Sequence, residues 1–415
     1  MSTTTDVLPL SETVAPASVE ELAERVRQAC AARTPVYPLG GGTSLDFGLP
    51  ARQTGIGLSL GGLDAVRDYP ARDMTVTVQA GLVVAELQRL LAAENQRLPI
   101  DVAQADRATV GGVVATNFSG PRRHGWGTIR DYVIGIAAVD GVGRCFRGGG
   151  RVVKNVAGYD FCKLLTGSLG TLGVITELTF RLRPRPEQQA LVACAPRDWD
   201  EAERLLAALV HSRTAPVAVE LLLGPAWSGL AELDGWSASA GSPLLVVGLE
   251  GTEPEVAWMG EQLAAEWRQL GVARCRKLEG GPAEALWHRL TEFPAAGDWP
   301  LMLKITVVPS ATTRLIQAAL ALDADCSVQA HAGSGVVVVA FSQFPAQGLS
   351  RAVTGGLAAA AAAAHGNASV LRNPSGAEMT RQCVWGGFDV PYGLMAEVKK
   401  NFDPRGILNP GRFVY

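Results

Sequence analysis

The spacing of apolar and polar residues along the chain predicts a mixture of helices and strands. Leu22, Val26 and Ala29 recur at helical intervals, and Ser18 and Glu21 have the spacing of a capping box, so a helix is expected from residue 18 onward. Strict alternation in MTVTVQAG predicts a half-buried strand. In the same half we expect strands at 36–39, 133–139, 144–146 and 174–182 and a helix at 83–94.

The pattern changes after Arg183-Pro184-Arg185-Pro186, where we place a domain boundary because prolines interrupt regular structure. Beyond this cluster helices and strands alternate, which predicts a separate α/β layer. Its helices are expected at 199–211, 253–270, 283–292, 312–322 and 358–364, and its strands at 217–222, 243–249, 301–307 and 336–341. The predicted organisation is a polar tail (1–17), a first domain (18–186), a second domain (187–390) and a C-terminal segment (391–415) that packs back on the body.

Composition narrows the class of protein. A chain of 415 residues with 47% hydrophobic residues can bury the cores of two domains, and a net charge of −3 argues against nucleic acid or an anionic membrane as the main partner. The seven cysteines are scattered without a C-x-x-C pair, which argues against disulfides, zinc and iron–sulfur clusters. Residues 1–17 lack the features of a signal peptide, and no apolar run is as long as a membrane span. We therefore expect a cytoplasmic protein that is membrane-associated only through partners.

The first segment with candidate chemistry is PLGGGTS, residues 38–44. Consecutive glycines let successive N–H groups point at one anion, and two hydroxyls add donors. The residues concerned are Gly40, Gly41, Gly42, Thr43 and Ser44. Leu45 stands where the dinucleotide fingerprint requires its last glycine, so the segment is not that motif. An ordinary glycine-rich turn is an equally good interpretation of this segment alone.

The second segment is ATVGGVVATNFSGPRRHGWG, residues 108–127. Thr109 is expected to cap a short helix that carries Gly111 and Gly112 at its start, and small residues continue through Ser119 and Gly120. Three cationic candidates follow, which are Arg122, Arg123 and His124. They could stabilise a reduced cofactor or bind a substrate carboxylate, and a solvated basic loop is the alternative interpretation.

The third segment is KNVAGYDFCKLLTGSLGTLGVITEL, residues 154–178. It predicts a helix, a glycine turn at 167–173 and a strand that contains Ile175. Such a turn suits a backbone that meets a flat ligand, and a close strand–helix crossing explains the glycines equally well.

In this order and spacing the three segments resemble the FAD-binding domain of the vanillyl-alcohol-oxidase-like family, which D-lactate dehydrogenases and glycolate oxidase subunits share. The resemblance covers residues 18–185. The closing F-D-P-R-G-I-L-N-P-G-R, residues 402–412, is similar to the terminal signature of the glycolate-oxidase-like branch. GPRR together with GGRVVKNVAGYD and GSLGTLG is most similar to the smaller FAD-binding subunits of bacterial glycolate oxidases.

The resemblance implies an α+β fold, in which a two-subdomain FAD-binding domain of the vanillyl-alcohol-oxidase type is joined to an α/β cap domain. It implies that residues 40–44 hold the pyrophosphate of FAD and that Ile175 meets the adenine side through its backbone. Gly111, Gly112, Ser119 and Gly120 would line the cofactor further along. Since the first glycine turn lacks a histidine, we expect non-covalent FAD.

One departure from the family concerns a cap segment of the form H-A-G-D-G-N-x-H, which relatives that oxidise 2-hydroxy acids use for metal and substrate. Here Ser334 replaces the acid and Val338 the second histidine. His331 is therefore expected to be a satisfied core or loop histidine, and we expect no metal site.

Two functions follow from the resemblance. The first is an FAD-linked dehydrogenase or oxidase subunit that oxidises a small, glycolate-like 2-hydroxy acid to the 2-oxo acid, with a larger FAD subunit and an iron–sulfur subunit as partners. In that case Arg122 or Arg123 would bind the substrate carboxylate. The second is a non-catalytic subunit that holds FAD for structure or electron transfer. A nicotinamide-dependent reductase sharing the fold has no specific sequence support.

Overall fold

The computed structural model describes residues 7–150, 158–233, 236, 242–387 and 392–413. The chain divides into two compact units. Unit 1 comprises Met1–Ser119, Thr128–Arg185 and Phe388–Tyr415, and unit 2 comprises Gly120–Gly127 and Pro186–Gly387. Residues 120–127, which the sequence analysis included in the first domain, thus belong to unit 2.

Strands of unit 1 form two sheets and a short ribbon in the part of the chain that the structure describes. They are β1 (Leu10–Val14), β2 (Val36–Leu39), β3 (Gly55–Ser59), β4 (Val66–Asp68), β5 (Thr75–Gln79), β6 (Gln96–Arg97), β7 (Val133–Val139), β8 (Cys145–Gly149), β9 (Val174–Arg181) and β10 (Arg183–Pro184). The parallel sheet has the order β1-β3-β2, and the antiparallel sheet has the order β4-β5-β9-β7-β8. β6 and β10 pair antiparallel.

The helices of unit 1 are α1 (Val19–Ala32), α2 (Val84–Ala92), α3 (Val110–Thr116), α5 (Phe161–Leu165) and α12 (Tyr392–Phe402). Ser18 caps α1 as predicted, since its Oγ accepts from the N–H of Glu21 at 3.1 Å. The Glu21 carboxylate accepts from the N–H of Ala17 at 3.0 Å, one residue before the position that a capping box requires. Leu22 and Val26 on its apolar stripe are fully buried.

Two predictions in unit 1 need correction. Residues 10–14 were expected in a polar tail, but they form β1, which pairs with β3 through the backbone and leaves most of its side chains exposed. An exposed edge strand has little apolar alternation by which a sequence could reveal it. The strand β5 was expected to be half-buried but is buried on both faces. Thr77 Oγ1 of β5 lies 3.0 Å from Thr179 Oγ1 of the neighbouring strand β9.

Unit 2 is built on one antiparallel sheet. In its described part the strands are β11 (Gln188–Cys194), β12 (Ala218–Leu223), β13 (Leu244–Gly251), β14 (Cys275–Glu279), β15 (Leu301–Thr306), β16 (Ser327–His331), β17 (Val336–Phe341) and β18 (Asn367–Arg372). Their order is β14-β11-β13-β12-β16-β17-β15-β18. The four predicted strands of this region are confirmed within one or two residues, and the others were not predicted.

The helices of unit 2 are α4 (Arg123–Trp126), α6 (Trp199–Val210), α7 (Glu253–Gln269), α8 (Gly280–Glu292), α9 (Thr312–Leu322), α10 (Ala358–Ala363) and α11 (Arg381–Trp385), with a π-helix at Ser350–Leu357. The helices predicted from apolar spacing are confirmed, and the alanine run is helical as expected. None of the described helices is long and apolar enough to cross a membrane.

The C-terminal segment is part of unit 1. Val36 in β2 donates to the carbonyl of Ile407, and the N–H of Asn409 donates to the carbonyl of Val36, both at 2.8 Å. Ile407 and Leu408 are buried in a core that includes Leu22, Val26 and other residues of unit 1. The segment is thus hydrogen-bonded directly to the strand that precedes the first glycine turn.

Candidate functional site

The first glycine turn, residues 40–44, follows β2 directly. A side chain at Gly40 would overlap the hydroxyl of Thr109, and one at Gly41 would overlap the carbonyl of Arg107. Gly42 has a positive φ of 70°, which glycine adopts without strain. The turn therefore requires glycine because the segment 107–109 packs against it.

The N–H groups of residues 41–44 and the two hydroxyls of this turn are open to a ligand. Among the described residues, no protein acceptor is seen for the N–H groups of residues 41–44, and no partner is seen for the hydroxyls of Thr43 and Ser44. Successive unpaired N–H groups in a curved backbone form a concavity that binds anions. The turn is thus suited to a phosphate group.

Thr109 begins α3, as predicted, and its hydroxyl accepts a hydrogen bond from the N–H of Gly112 at 3.3 Å. The N–H of Gly111 donates to the carbonyl of Ala80 at 2.8 Å, and an added Cβ at Gly111 would lie 2.7 Å from Cβ of Ala80. Both N–H groups are therefore used within the protein. Gly111 allows α3 to pack closely on the end of β5.

The third glycine turn, residues 167–173, packs on the end of α3. The N–H of Gly167 donates to the carbonyl of Val114, and that of Leu169 donates to the carbonyl of Ala115, both at 2.9 Å. A Cβ at Gly170 would lie 3.3 Å from Cγ of Pro38 in β2. The glycine-bearing parts of the three segments, at 38–44, 108–117 and 167–173, therefore meet within unit 1.

Two buried polar atoms at this meeting point lack a partner in the described part of the chain. They are Oδ1 of Asn117, the residue that ends α3, and Oγ of Ser168 in the third turn. A Cβ at Gly167, the residue before Ser168, would lie 3.4 Å from Cβ of Asn117. A buried polar atom without a partner costs about 1–3 kcal/mol, which a bound ligand would offset. The glycine packing, the open N–H groups and these two atoms fit the FAD that the sequence resemblance implies.

Three more residues were expected in the cofactor site. Ile175 is 4% exposed, its side chain lies in the core of unit 1, and it pairs with Ala138 of β7, so only its backbone could face a ligand. Ser119 is half-buried at the end of one stretch of unit 1, and Gly120 is buried at the start of a stretch of unit 2. Their contact with FAD stays a prediction.

The three cationic candidates lie in unit 2, and Arg122 is held by the protein itself. Its Nε donates to Glu250 at 2.8 Å, another guanidinium nitrogen donates to Gln189 at 2.7 Å, and the guanidinium stacks 4.0 Å from the centre of the Trp287 ring. Glu250 also accepts from the indole N–H of Trp126 at 2.9 Å. Because the Arg122 side chain is 15% exposed and that of Glu250 is fully buried, the solvated-loop interpretation is wrong for Arg122.

Arg123 has a different neighbour, Lys304 in β15. Burial, together with the positive charge of Arg123, lowers the pKa of Lys304 to about 8. Two cations that act on one another at a partly buried position attract an anion, since a carboxylate would relieve their repulsion. Arg123 and Lys304 therefore concentrate positive charge in one part of unit 2.

His124 and His331 lie on different stretches of unit 2. A Cβ at Gly333 would lie 2.5 Å from Nδ1 of His124, so the exposed imidazole packs directly against the turn after β16. His331 Nδ1 is 2.9 Å from both oxygens of Glu220, and Gln329 Nε2 donates to Glu220 at 2.9 Å. The prediction that His331 is a satisfied buried histidine is confirmed.

Register places these groups on one face of the sheet of unit 2. Glu220 is directly opposite His331, while Val338 is opposite both Gln329 and Lys304. Directly opposite residues, and residues two apart on one strand, point to the same face. This face therefore presents a histidine oriented by a carboxylate and, two strands away, a cation. Oε1 of the fully buried Gln329 has no partner among the described residues.

Glu220, Glu250 and Lys304 were not among the site residues predicted from the sequence. Their signal was a single charged residue inside an otherwise apolar run, as in VAVELLL and LMLKIT. Charged residues are almost never buried unless they are paired, so such a charge in a predicted strand indicates a built site. In the described residues, no group of three or more His, Cys, Asp or Glu side chains is arranged to hold a metal ion.

Two protein-family models match the chain, one in its N-terminal part and one in its C-terminal part. Residues 11–149 match the family described as "FAD binding domain". Residues 185–369 and 388–413 match the family described as "FAD linked oxidases, C-terminal domain".

Several curated proteins are similar to the chain. Glycolate oxidase subunit GlcE of Escherichia coli is 36% identical over 168 residues, which is 40% of this chain and 47% of that protein. A D-2-hydroxyglutarate dehydrogenase of Xanthomonas citri is 36% identical over 193 residues, or 46% of this chain and 41% of that protein. The D-lactate dehydrogenase of Archaeoglobus fulgidus is 27% identical over 428 residues, or 97% of this chain and 90% of that protein. The first two matches thus span less than half of the relative's length.

Among solved structures, an alkyldihydroxyacetonephosphate synthase matches with a TM-score of 0.68 and 17% identity, over 96% of this chain and 75% of that chain. At this identity the match shows the fold alone. The fold is therefore the α+β arrangement predicted from the sequence, an FAD-binding domain with the C-terminal domain of FAD-linked oxidases.

Proposed function

The chain belongs to the family of FAD-linked oxidases, and from this premise we propose that it is a subunit that oxidises a small 2-hydroxy acid of the glycolate type to the 2-oxo acid. The electrons removed from the substrate would pass to a partner protein. Relatives named as a glycolate oxidase subunit, a D-2-hydroxyglutarate dehydrogenase and a D-lactate dehydrogenase support this substrate class.

The observation that carries the cofactor part of the proposal is the convergence of the three glycine segments in unit 1. Residues 40–44 would hold the pyrophosphate, and Asn117 and Ser168 would supply polar contacts through atoms that otherwise lack partners. FAD, when bound, supplies the hydride-accepting chemistry. We propose that the cofactor is non-covalent, since the first turn has no histidine.

For the substrate carboxylate we propose Arg123 together with Lys304. The guanidinium of Arg122 is paired with Glu250 and stacked on Trp287, so we assign it an anchoring role within unit 2. A substrate carboxylate that binds Arg123 or Lys304 would gain charge-assisted hydrogen bonds.

For the proton of the substrate hydroxyl we propose His331. Glu220 accepts at Nδ1, which selects the tautomer whose Nε2 carries a lone pair. Such a histidine–carboxylate pair is the usual arrangement of a general base. His124, exposed and packed on Gly333, would serve only to shape this face.

The electron acceptor is proposed to be a partner protein. The described residues include all seven cysteines as free thiols without disulfides, which fits a reducing cytoplasm. In keeping with the similarity to glycolate oxidase subunits, we propose a larger FAD subunit and an iron–sulfur subunit as partners in a hetero-oligomer, through which the chain would reach a membrane.

The alternative is a non-catalytic subunit that holds FAD for structure or electron transfer. The incomplete histidine segment, with Ser334 and Val338 in place of an acid and a histidine, favours it.

The test is an absorption spectrum of the purified chain after incubation with FAD, followed by anaerobic addition of glycolate and of D-lactate. Bleaching of the flavin band by either acid, and its loss in a His331→Asn variant that still binds FAD, is the expected result. A flavin that stays oxidised with both acids would favour the non-catalytic subunit. A chain that retains no flavin would overturn the cofactor assignment.

A further inference from the structure

The last described residues of the chain contact both the first and the third glycine segments of unit 1. One terminal nitrogen of Arg412 donates to the carbonyl of Leu45 and, at 2.9 Å, to the carbonyl of Phe47. The N–H of Leu49 in turn donates to the carbonyl of Arg412 at 3.1 Å. Arg412 is 5% exposed, so the loop that follows the first glycine turn is hydrogen-bonded to a buried cation.

The same segment holds the third turn. Nδ2 of Asn409 donates to the carbonyl of Leu169 at 2.6 Å, and Nζ of Lys399 donates to the carbonyl of Thr171 at 2.7 Å. Leu169 has a positive φ of 52°, which is unusual for leucine. The turn is therefore kept in a conformation that its own sequence does not favour.

Asp403 makes this segment rigid. Its carboxylate accepts from Nζ of Lys399 at 2.6 Å and from the N–H groups of Ile407 and Leu408 at 3.0 and 2.7 Å. Asp403 is 2% exposed, and a Cβ at Gly141 would overlap its carboxylate. Burial lowers the pKa of Arg412 to about 10, so its guanidinium stays charged at neutral pH.

These contacts use the carbonyl side of each loop. The C-terminal segment donates hydrogen bonds to the carbonyls of Leu45, Phe47, Leu169 and Thr171. In contrast, the N–H groups of residues 41–44 have no acceptor among the described residues. A loop that is already fixed through its carbonyls loses less conformational entropy when its N–H groups bind an anion.

We propose that Lys399, Asn409 and Arg412 are positioning residues that fix the first and third glycine turns in the shape that binds FAD. This inference rests on the proposed binding of FAD at those turns. It assigns a task to the terminal signature F-D-P-R-G-I-L-N-P-G-R, namely to hold two loops that lie more than two hundred residues earlier in the chain.

The test is the dissociation constant of FAD for the folded apoprotein of the full chain, measured by flavin fluorescence. Asn409 has a positive φ of 45°, so Asn409→Gly keeps this backbone conformation and removes the donor, and Asn409→Asp keeps the shape but presents an acceptor to the Leu169 carbonyl. We expect both changes, and Arg412→Met, to weaken FAD binding about tenfold or more. Arg412→Lys restores a cationic donor and should recover most of the affinity.

Exposed basic residues of the same segment provide matched controls. Lys400→Met and Arg405→Met should leave the dissociation constant within about twofold of the unchanged chain. The midpoint of thermal unfolding of each apoprotein separates loss of fold from loss of binding. If Arg412→Met does not fold, the two Asn409 variants decide the question.

Unchanged FAD affinity in folded Asn409→Gly and Asn409→Asp would overturn the proposal while leaving FAD binding itself intact. Failure of the unchanged chain to bind FAD would instead refute the proposed function. Equal weakening by the control variants would show a general effect of charge loss and would also overturn the positioning role.

Discussion

Arg122 and Glu250 form a buried ion pair within unit 2, with Nε of the arginine 2.8 Å from Oε1 of the carboxylate. The next residue, Arg123, acts instead on Lys304. Arg122 therefore anchors residues 120–127 to the sheet of unit 2, while the positive charge of Arg123 acts on a second cation of the same unit.

The anchoring task predicts that Arg122→Met destabilises unit 2, because it leaves the carboxylate of Glu250 buried without its cation. Removal of one partner of a buried pair costs about 3–5 kcal/mol. We expect a lower midpoint of thermal unfolding, followed by circular dichroism, and partial recovery when Glu250→Gln is added. A single variant as stable as the unchanged chain would contradict the anchoring role.

The second arginine predicts an effect on substrate binding. Arg123→Met should raise KM for glycolate or D-lactate about tenfold or more, because a charge-assisted hydrogen bond to the carboxylate is lost. Arg130→Met, at an exposed position of unit 1, is the matched control. Equal KM values in the two variants would remove Arg123 from the carboxylate site.

Lys304 predicts a pH dependence. With a pKa of about 8, its amine is charged below that pH and neutral above it, so attraction for a substrate carboxylate weakens as the pH rises. We expect kcat/KM to fall above about pH 8, with a larger fall than in Lys304→Arg, whose guanidinium stays charged. A profile that is the same in both proteins would show that Lys304 does not titrate in the reaction.

The glycine turn predicts a steric effect on cofactor binding. Gly41→Ala places a methyl group on the carbonyl of Arg107, so the turn must move, and we expect loss of bound FAD. Gly61→Ala is the matched control, since its Cβ would lie 3.6 Å from the hydroxyl of Ser59 in ordinary contact. The flavin absorbance of the purified variants measures this directly, and full occupancy in Gly41→Ala would contradict the role of the turn.

Much of the architecture followed from local sequence. Helical spacing located α1, α7 and α9, and the capping residues Ser18 and Thr109 marked where two helices begin. These signals are local, because the backbone hydrogen bonds of a helix lie within the helix and its apolar face appears as a repeat of 3.6 residues in the sequence. The strand β1 was not predicted, because an exposed edge strand forms through backbone hydrogen bonds to its neighbour and shows little alternation of apolar and polar residues.

The cofactor class follows from local sequence, through three glycine segments whose order is specific although each segment alone is not. Which polar groups act on one another depends instead on the packing of the folded chain. Arg122 and Arg123 are equivalent in sequence, but strand register brings Glu250 to one and Lys304 to the other. Likewise Arg412 reaches Phe47 across 365 positions. Hydrogen bonds and charges act over a few ångströms of space, and the distance between two residues in space is set by packing rather than by their separation along the chain.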